Sequence, residues 1–148
     1  MSVCRDATAA DIPAVADLEA RSFAVDGWSR GMLADELGRP GGIFVVAESS
    51  GVPVGMAIGF AVLDELHVLH VAVDPGMRRR GLGRILVDAL EERAPGASVA
   101  WLEVRFDNHG AIAMYRGLGY EALAVRPKYY GDGCDAVVYR KPITRSVG

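Results

Sequence analysis

Between residues 65 and 105 the chain carries two apolar stretches, ELHVLHVAV and SVAWLEVR, with a long amphipathic segment between them. That segment sets Leu82, Ile85, Leu86, Ala89 and Leu90 on one helical face, and Pro95-Gly96 ends it. Strand, long helix, strand predicts a crossover. Parallel neighbours need such a connection, because a tight turn can only reverse the chain. Any fold for this chain must therefore hold a locally parallel pair of strands with a helix packed across it.

The flanking segments read differently. Thr8 and Asp11 form a capping-box pattern before Ile12, Val15, Leu18 and Phe23, which predicts a helix over about residues 10–22. Ser29 caps a shorter helix with Met32, Leu33 and Leu37, stopped by Arg39-Pro40-Gly41-Gly42. Residues 43–48, 54–63 and 65–73 follow as an antiparallel meander. Beyond the crossover, Asn108 caps a helix with Ile112, Met114, Tyr115 and Leu118, ended by Gly119. Strands over about 121–125 and 134–140 flank the loop RPKYYGDG, and a further strand is expected at the N-terminus. The expected fold is an α+β domain, one unit over residues 1–148, on a mixed and mostly antiparallel sheet with about four helices.

Composition narrows the function. Sixteen basic and nineteen acidic residues give a formal charge of −3, which argues against nucleic acid as a partner. Cys4 and Cys134 are far apart and make no metal-ligand spacing, as expected of a reducing compartment. The N-terminal residues lack a signal peptide's apolar run, and the longest apolar stretch, 54–63, is far below the ~20 residues of a membrane helix. A cytoplasmic location without membrane contact is the expectation. His67 and His70 invite a metal reading, but their odd spacing puts them on opposite strand faces unless a bulge intervenes, and no third ligand is in sight. No metal is expected.

Arg78-Arg79-Arg80-Gly81-Leu82-Gly83-Arg84 stands where a strand gives way to a helix. Helix N-termini present unpaired N–H groups and partial positive charge, so they bind anions. Glycine removes the Cβ that would hold a phosphate off those groups. On the residues alone, this is either an anion cradle or a glycine turn with a solvated basic patch. A Walker loop is excluded, since no Lys-Ser or Lys-Thr follows, and a dinucleotide fingerprint lacks its third glycine.

The strand ending HVAVDP, followed by R-x-x-G-x-G at the start of a helix, resembles the acyl-CoA signature of the GNAT superfamily of N-acetyltransferases. Downstream, WLEVR-x-x-N-x-x-A-I-A-x-Y-x-x-L-G-Y and PKYYGDGCDA are similar to the ribosomal-protein-alanine branch and to archaeal N-terminal acetyltransferases. The resemblance covers most of the chain and implies the GNAT fold, with acetyl-CoA as co-substrate. It implies that Val71, Ala72 and Val73 bind the pantetheine arm. Arg78, Arg79, Arg80, Gly81, Leu82, Gly83 and Arg84 would hold the pyrophosphate, and Asn108 would touch the coenzyme. Glu103 becomes the general base, Tyr115 the acid that protonates the leaving thiolate, and Tyr129 and Tyr130 a cover over the acceptor. The implied acceptor is the α-amine of a protein N-terminus, with a ribosomal protein's N-terminal alanine first.

Each of these residues also has a plainer reading. Strand parity puts Trp101, Glu103 and Arg105 on one half-exposed face, Tyr115 has core spacing to Leu118, Asn108 is a helix cap, and the tyrosine pair anchors a loop. Trp28 reads as a core anchor or as a border of the acceptor entrance, and His109 as a surface residue. Cys134 departs from the family, which usually has an acidic residue there, while Asp132 and Asp135 remain. Two other functions stay open: acetylation of lysine or small-molecule amines, and a non-catalytic acyl-CoA-binding module.

Overall fold

The computed structural model describes residues 2–22 and 27–143, with side chains from residue 4 onward. Phe23, expected on the first helix, lies outside the described residues. Strand β1 (Ser2–Asp6) leads into α1 (Ile12–Ser22) and α2 (Arg30–Leu37). The meander is β2 (Gly42–Ser49), β3 (Val52–Val62) and β4 (Glu65–Val73). Helix α3 (Leu82–Glu92), β5 (Val99–Arg105), α4 (His109–Gly117), β6 (Glu121–Arg126) and β7 (Ala136–Pro142) complete the order.

The predicted caps are present. Thr8 N–H donates to Asp11 at 2.8 Å, Ser29 Oγ accepts from Met32 N–H at 3.2 Å, and Asn108 Oδ1 accepts from Ala111 N–H at 3.1 Å. The sheet runs β1-β2-β3-β4-β5-β7-β6. Only β4 and β5 are parallel, as the crossover requires, and the other neighbours are antiparallel. The last strand enters beside β5 and leaves β6 at the edge, exposed along its whole length.

Each face of the sheet has its own core. Leu66, Val68, Leu102 and Val104 pack with Leu86, Leu90, Tyr115 and Leu118 on the α3/α4 side. Val46, Met56, Ile58 and Ala72 pack with Val15, Leu18 and Leu33 on the α1/α2 side. Met32 and Ile85 point outward, 48% and 40% exposed, because only one arc of each short helix reaches the sheet.

Two irregularities of β4 shape the centre. Ile58 opposes His70 while Gly59 opposes Val68, so Leu69 is a bulge residue with no partner. The bulge resets the alternation, turning His67 and His70 to the same face, contrary to the regular-strand expectation. The parallel ladder then ends at the Val68–Leu102 pair, and β4 continues to Val73 without β5.

Candidate active site

Where β4 and β5 part, residues 69–73 keep one edge without a strand neighbour. An extended chain carrying amides can complete that edge by hydrogen bonding. Val71, Ala72 and Val73 lie along it, and Asp74 follows at its end. Asp74 accepts from Gly76 N–H at 2.9 Å and from Arg21 at 2.8 Å, so the chain turns there into a short 3-10 helix, Pro75–Met77.

The turn opens directly onto α3. Its first amide with a backbone acceptor is Ile85 N–H, bonded to Gly81 at 3.1 Å; the N–H groups of residues 78–84 have none among the described residues. Arg79 and Gly81 take left-handed backbone angles, φ 65° and 78°, which curl those amides into a concave nest. A Cβ at Gly81 would meet nothing within 4 Å, so the space above it is open to a phosphate. Gly83 also answers to packing. A Cβ there would lie 2.2 Å from Met114 Sδ, so this glycine lets α3 and α4 approach. Leu82 is buried and faces the core, which leaves only its N–H for a ligand. Arg78, Arg79, Arg80 and Arg84 are exposed around the nest. The donor set suits a pyrophosphate, and the free β4 edge suits the amide-bearing arm that follows it in coenzyme A.

On the α1/α2 side of the sheet lies a groove of about 710 Å³. Trp28, His67 and Leu69 form one wall, Trp101 and Glu103 the floor, and Leu123, Arg126, Tyr129 and Tyr130 the other wall. Its two apolar lips are both bulge residues, because Leu123 in β6 is unopposed just as Leu69 is in β4. Glu103 Oε1 lies 3.3 Å from Arg126 Nη2, and Oε2 is buried without a hydrogen-bond partner among the described residues. A buried, unpaired carboxylate oxygen is costly, and the Tyr129 phenol is a donor on hand to share this carboxylate. Glu103 also raises the pKa of the Tyr129 phenol, through hydrogen bonding first and charge second.

Tyr129 and Tyr130 meet edge to face at 5.2 Å, with Arg126 and Arg105 over their respective rings. Arg105 is tied to Asp132 and Asp107, and Lys128 N–H donates to Asp135 at 2.9 Å, so the loop is braced by its own acids. Cys134 contributes through its backbone, accepting from Tyr130 N–H at 3.2 Å and donating to Asp132 at 3.1 Å. The Asp132 and Asp135 carboxylates thus take up the loop's donors.

Tyr115 lies on the opposite face of the sheet, 7% exposed and edge-on to Tyr120 at 5.7 Å. Burial pushes its phenol well above the usual tyrosine range. Glu103 and Tyr115 thus lie on opposite faces of the sheet, on one strand and one helix that belong to different layers. Asn108 spends its carbonyl on the α4 cap and keeps its amide NH₂. His109 is exposed at the first position of that helix. His67 stacks on Phe60 at 4.7 Å and His70 on Trp28 at 5.0 Å. Sequence reading missed Leu69, Leu123 and Arg126, which only strand register brings to the groove.

Residues 12–120 match the acetyltransferase (GNAT) family. The chain is 38% identical over 141 residues to the ribosomal protein bS18 alanine N-acetyltransferase of Escherichia coli (strain K12), covering 90% of this chain and 93% of that protein. The crystal structure of the ribosomal-protein-S18-alanine N-acetyltransferase from Escherichia coli matches with a TM-score of 0.86 and 34% identity, covering 99% of this chain and 97% of that one. A longer uncharacterized protein of Mycobacterium leprae (strain TN) is 38% identical over 140 residues, 90% of this chain; the chain spans 39% of its length. The chain belongs to the acetyltransferase (GNAT) family and has its fold, and it is an acetyl-CoA-dependent N-acetyltransferase.

Among the described residues no helix is long and apolar enough to cross a membrane. Nor do three His, Cys, Asp or Glu side chains there cluster to hold a metal ion.

Proposed function

We propose that the enzyme acetylates the α-amine of a protein N-terminus, with an N-terminal alanine of a ribosomal protein as the first acceptor to test. The observation that carries this reading is the groove. It is lined by aromatic and apolar side chains, holds an unsatisfied carboxylate oxygen on its floor, and lies against the opening where the coenzyme's arm would end. An α-amine has a pKa of ~7.7–8.0 against ~10.4 for lysine, so it supplies more neutral nucleophile near pH 7. The kinship with an alanine N-acetyltransferase supports the same acceptor class.

Acetyl-CoA supplies an acyl thioester. The N–H groups of residues 78–84, with Arg78, Arg79, Arg80 and Arg84, hold its pyrophosphate; Val71, Ala72 and Val73 hydrogen-bond its arm, and the Asn108 NH₂ adds a contact. Glu103 takes the proton from the acceptor ammonium, directly or through water, and the amine attacks without a covalent enzyme intermediate. Tyr115, kept protonated by burial, donates its proton to the departing thiolate. Tyr129 and Tyr130 close over the acceptor's first residues.

The test uses two peptides of otherwise equal sequence, with the modified atom located by mass spectrometry. One has a free N-terminal alanine and no lysine; the other has a blocked N-terminus and one lysine. Acetylation of the first alone is the expected outcome. Acetylation of the second alone overturns the acceptor class and leaves the coenzyme site standing.

A further inference from the structure

Glu19 is 1% exposed on α1, a carboxylate withdrawn from water at a cost that an apolar side chain would not bear. Both of its oxygens are engaged. Oε2 accepts the Trp28 backbone N–H at 2.9 Å, and Oε1 contacts His70 Nε2. The indole of Trp28 lies flat against the His70 ring, with centroids 5.0 Å apart and planes at 13°. One carboxylate therefore joins three elements: α1, the segment leading into α2, and the part of β4 just before Val71. Trp28 is also a wall of the groove, on the side where β4 leaves β5.

We infer that Glu19 is a positioning residue for the acceptor. It fixes Trp28 against His70, so that the indole bounds the space for the acceptor's first side chain. The bulge at Leu69 makes this possible, since in a regular strand His70 would face away from His67 and the groove. Glu19 acts through Trp28 and touches no reacting atom. The inference rests on reading the groove as the acceptor site.

Glu19→Gln and Glu19→Ala separate geometry from charge. The glutamine carbonyl still accepts from Trp28 N–H and its amide still donates to the imidazole; alanine does neither. Glu19→Ala is expected to raise the KM of the acceptor peptide on the order of 10–100-fold, as small misplacements in a site do. Its kcat at saturating acceptor and its KM for acetyl-CoA should stay within about two-fold of the parent. Hydrogen exchange at the Trp28 amide should speed up in that variant. Glu19→Gln should restore both acceptor KM and amide protection. Trp28→Ala, which leaves the α1 core intact, should give the same KM signature and narrow the preference for an N-terminal alanine over leucine.

Equal losses in Glu19→Gln and Glu19→Ala, with the Trp28 amide still protected in the former, would show that the charge matters and overturn the positioning role. So would an unchanged acceptor KM in Trp28→Ala. If the parent acetylates peptides but these variants leave the acceptor KM alone, only this inference falls. If the parent acetylates no amine, the acceptor reading of the groove falls with it.

Discussion

The proposed mechanism asks Glu103 and Tyr115 for opposite proton transfers, and their surroundings differ. Glu103 is part-exposed on the groove floor beside Arg126, whereas Tyr115 is enclosed by the α3/α4 core. Removing the proposed base without changing its shape is the direct test. Glu103→Gln should lower turnover by about 10²–10⁴-fold, the usual worth of an acid–base group, while acetyl-CoA binding by calorimetry is retained. Unchanged turnover would remove Glu103 from the mechanism. Tyr115→Phe keeps the edge-on contact with Tyr120 and should leave the melting temperature near that of the parent while turnover drops. Because burial raises the phenol, the parent should show no loss of rate from Tyr115 ionisation as pH rises through the ordinary tyrosine range. A rate that falls there in the parent, and does not in Tyr115→Phe, would mean the phenol ionises and contradict its role as the resident donor.

Among the elements, the join between β4 and α3 does most to organise the proposed coenzyme site, and its two glycines answer to different forces. Gly81 has a positive φ and empty space above it, so Gly81→Ala should cost about 1–2 kcal/mol of stability from backbone strain alone. The added methyl would also intrude on the phosphate nest and weaken acetyl-CoA binding. Gly83 has ordinary backbone angles but no room beside Met114, so Gly83→Ala should destabilise by about 1–3 kcal/mol through overpacking. A second substitution, Met114→Ala, should recover part of that loss for Gly83→Ala and none for Gly81→Ala. Urea unfolding of the single and paired variants measures both couplings; equal recovery in the two backgrounds would refute the distinction. Helix boundaries, caps and the crossover were all legible along the chain, because each is set by local chemistry within a few residues. The bulges at Leu69 and Leu123 were not, since an extra residue in a strand has no local signature and is fixed by what the neighbouring strand requires.

Over the whole molecule, the first strand is tied to the α1 layer by charge. Arg5 contacts Asp11 at 2.9 Å and Glu48 at 3.0 Å, joining β1, the 3-10 turn just before α1, and β2. The Arg5 hydrogen bond holds the Asp11 carboxyl down to about 2. A carboxyl lowered on folding stabilises the protein above its unfolded pKa of ~3.9, and that contribution disappears as pH falls through the folded value. Arg5 is 37% exposed against 11% for Asp11, so solvent screening trims the effect to about 1–2 kcal/mol. Asp11→Asn should therefore lower stability at pH 7 and flatten its fall between about pH 5 and pH 2, read by thermal unfolding across that range. An equally steep acid limb in the variant would put the dependence elsewhere. The sequence by itself determined the order of strands and helices, the parallel crossover and the glycine-arginine turn into α3, because periodicity, capping and turn chemistry are written along the chain; it offered Glu103 and Tyr115 only through family resemblance, and their roles rest on the proposed mechanism. Tertiary structure alone decided that β7 enters beside β5, that the parallel ladder stops at Val68, and that a buried Glu19 joins Trp28 to His70. Those outcomes depend on long-range pairing: a strand's partner, its register and a carboxylate's burial are energies of contact between residues far apart in the chain, and no local pattern carries them.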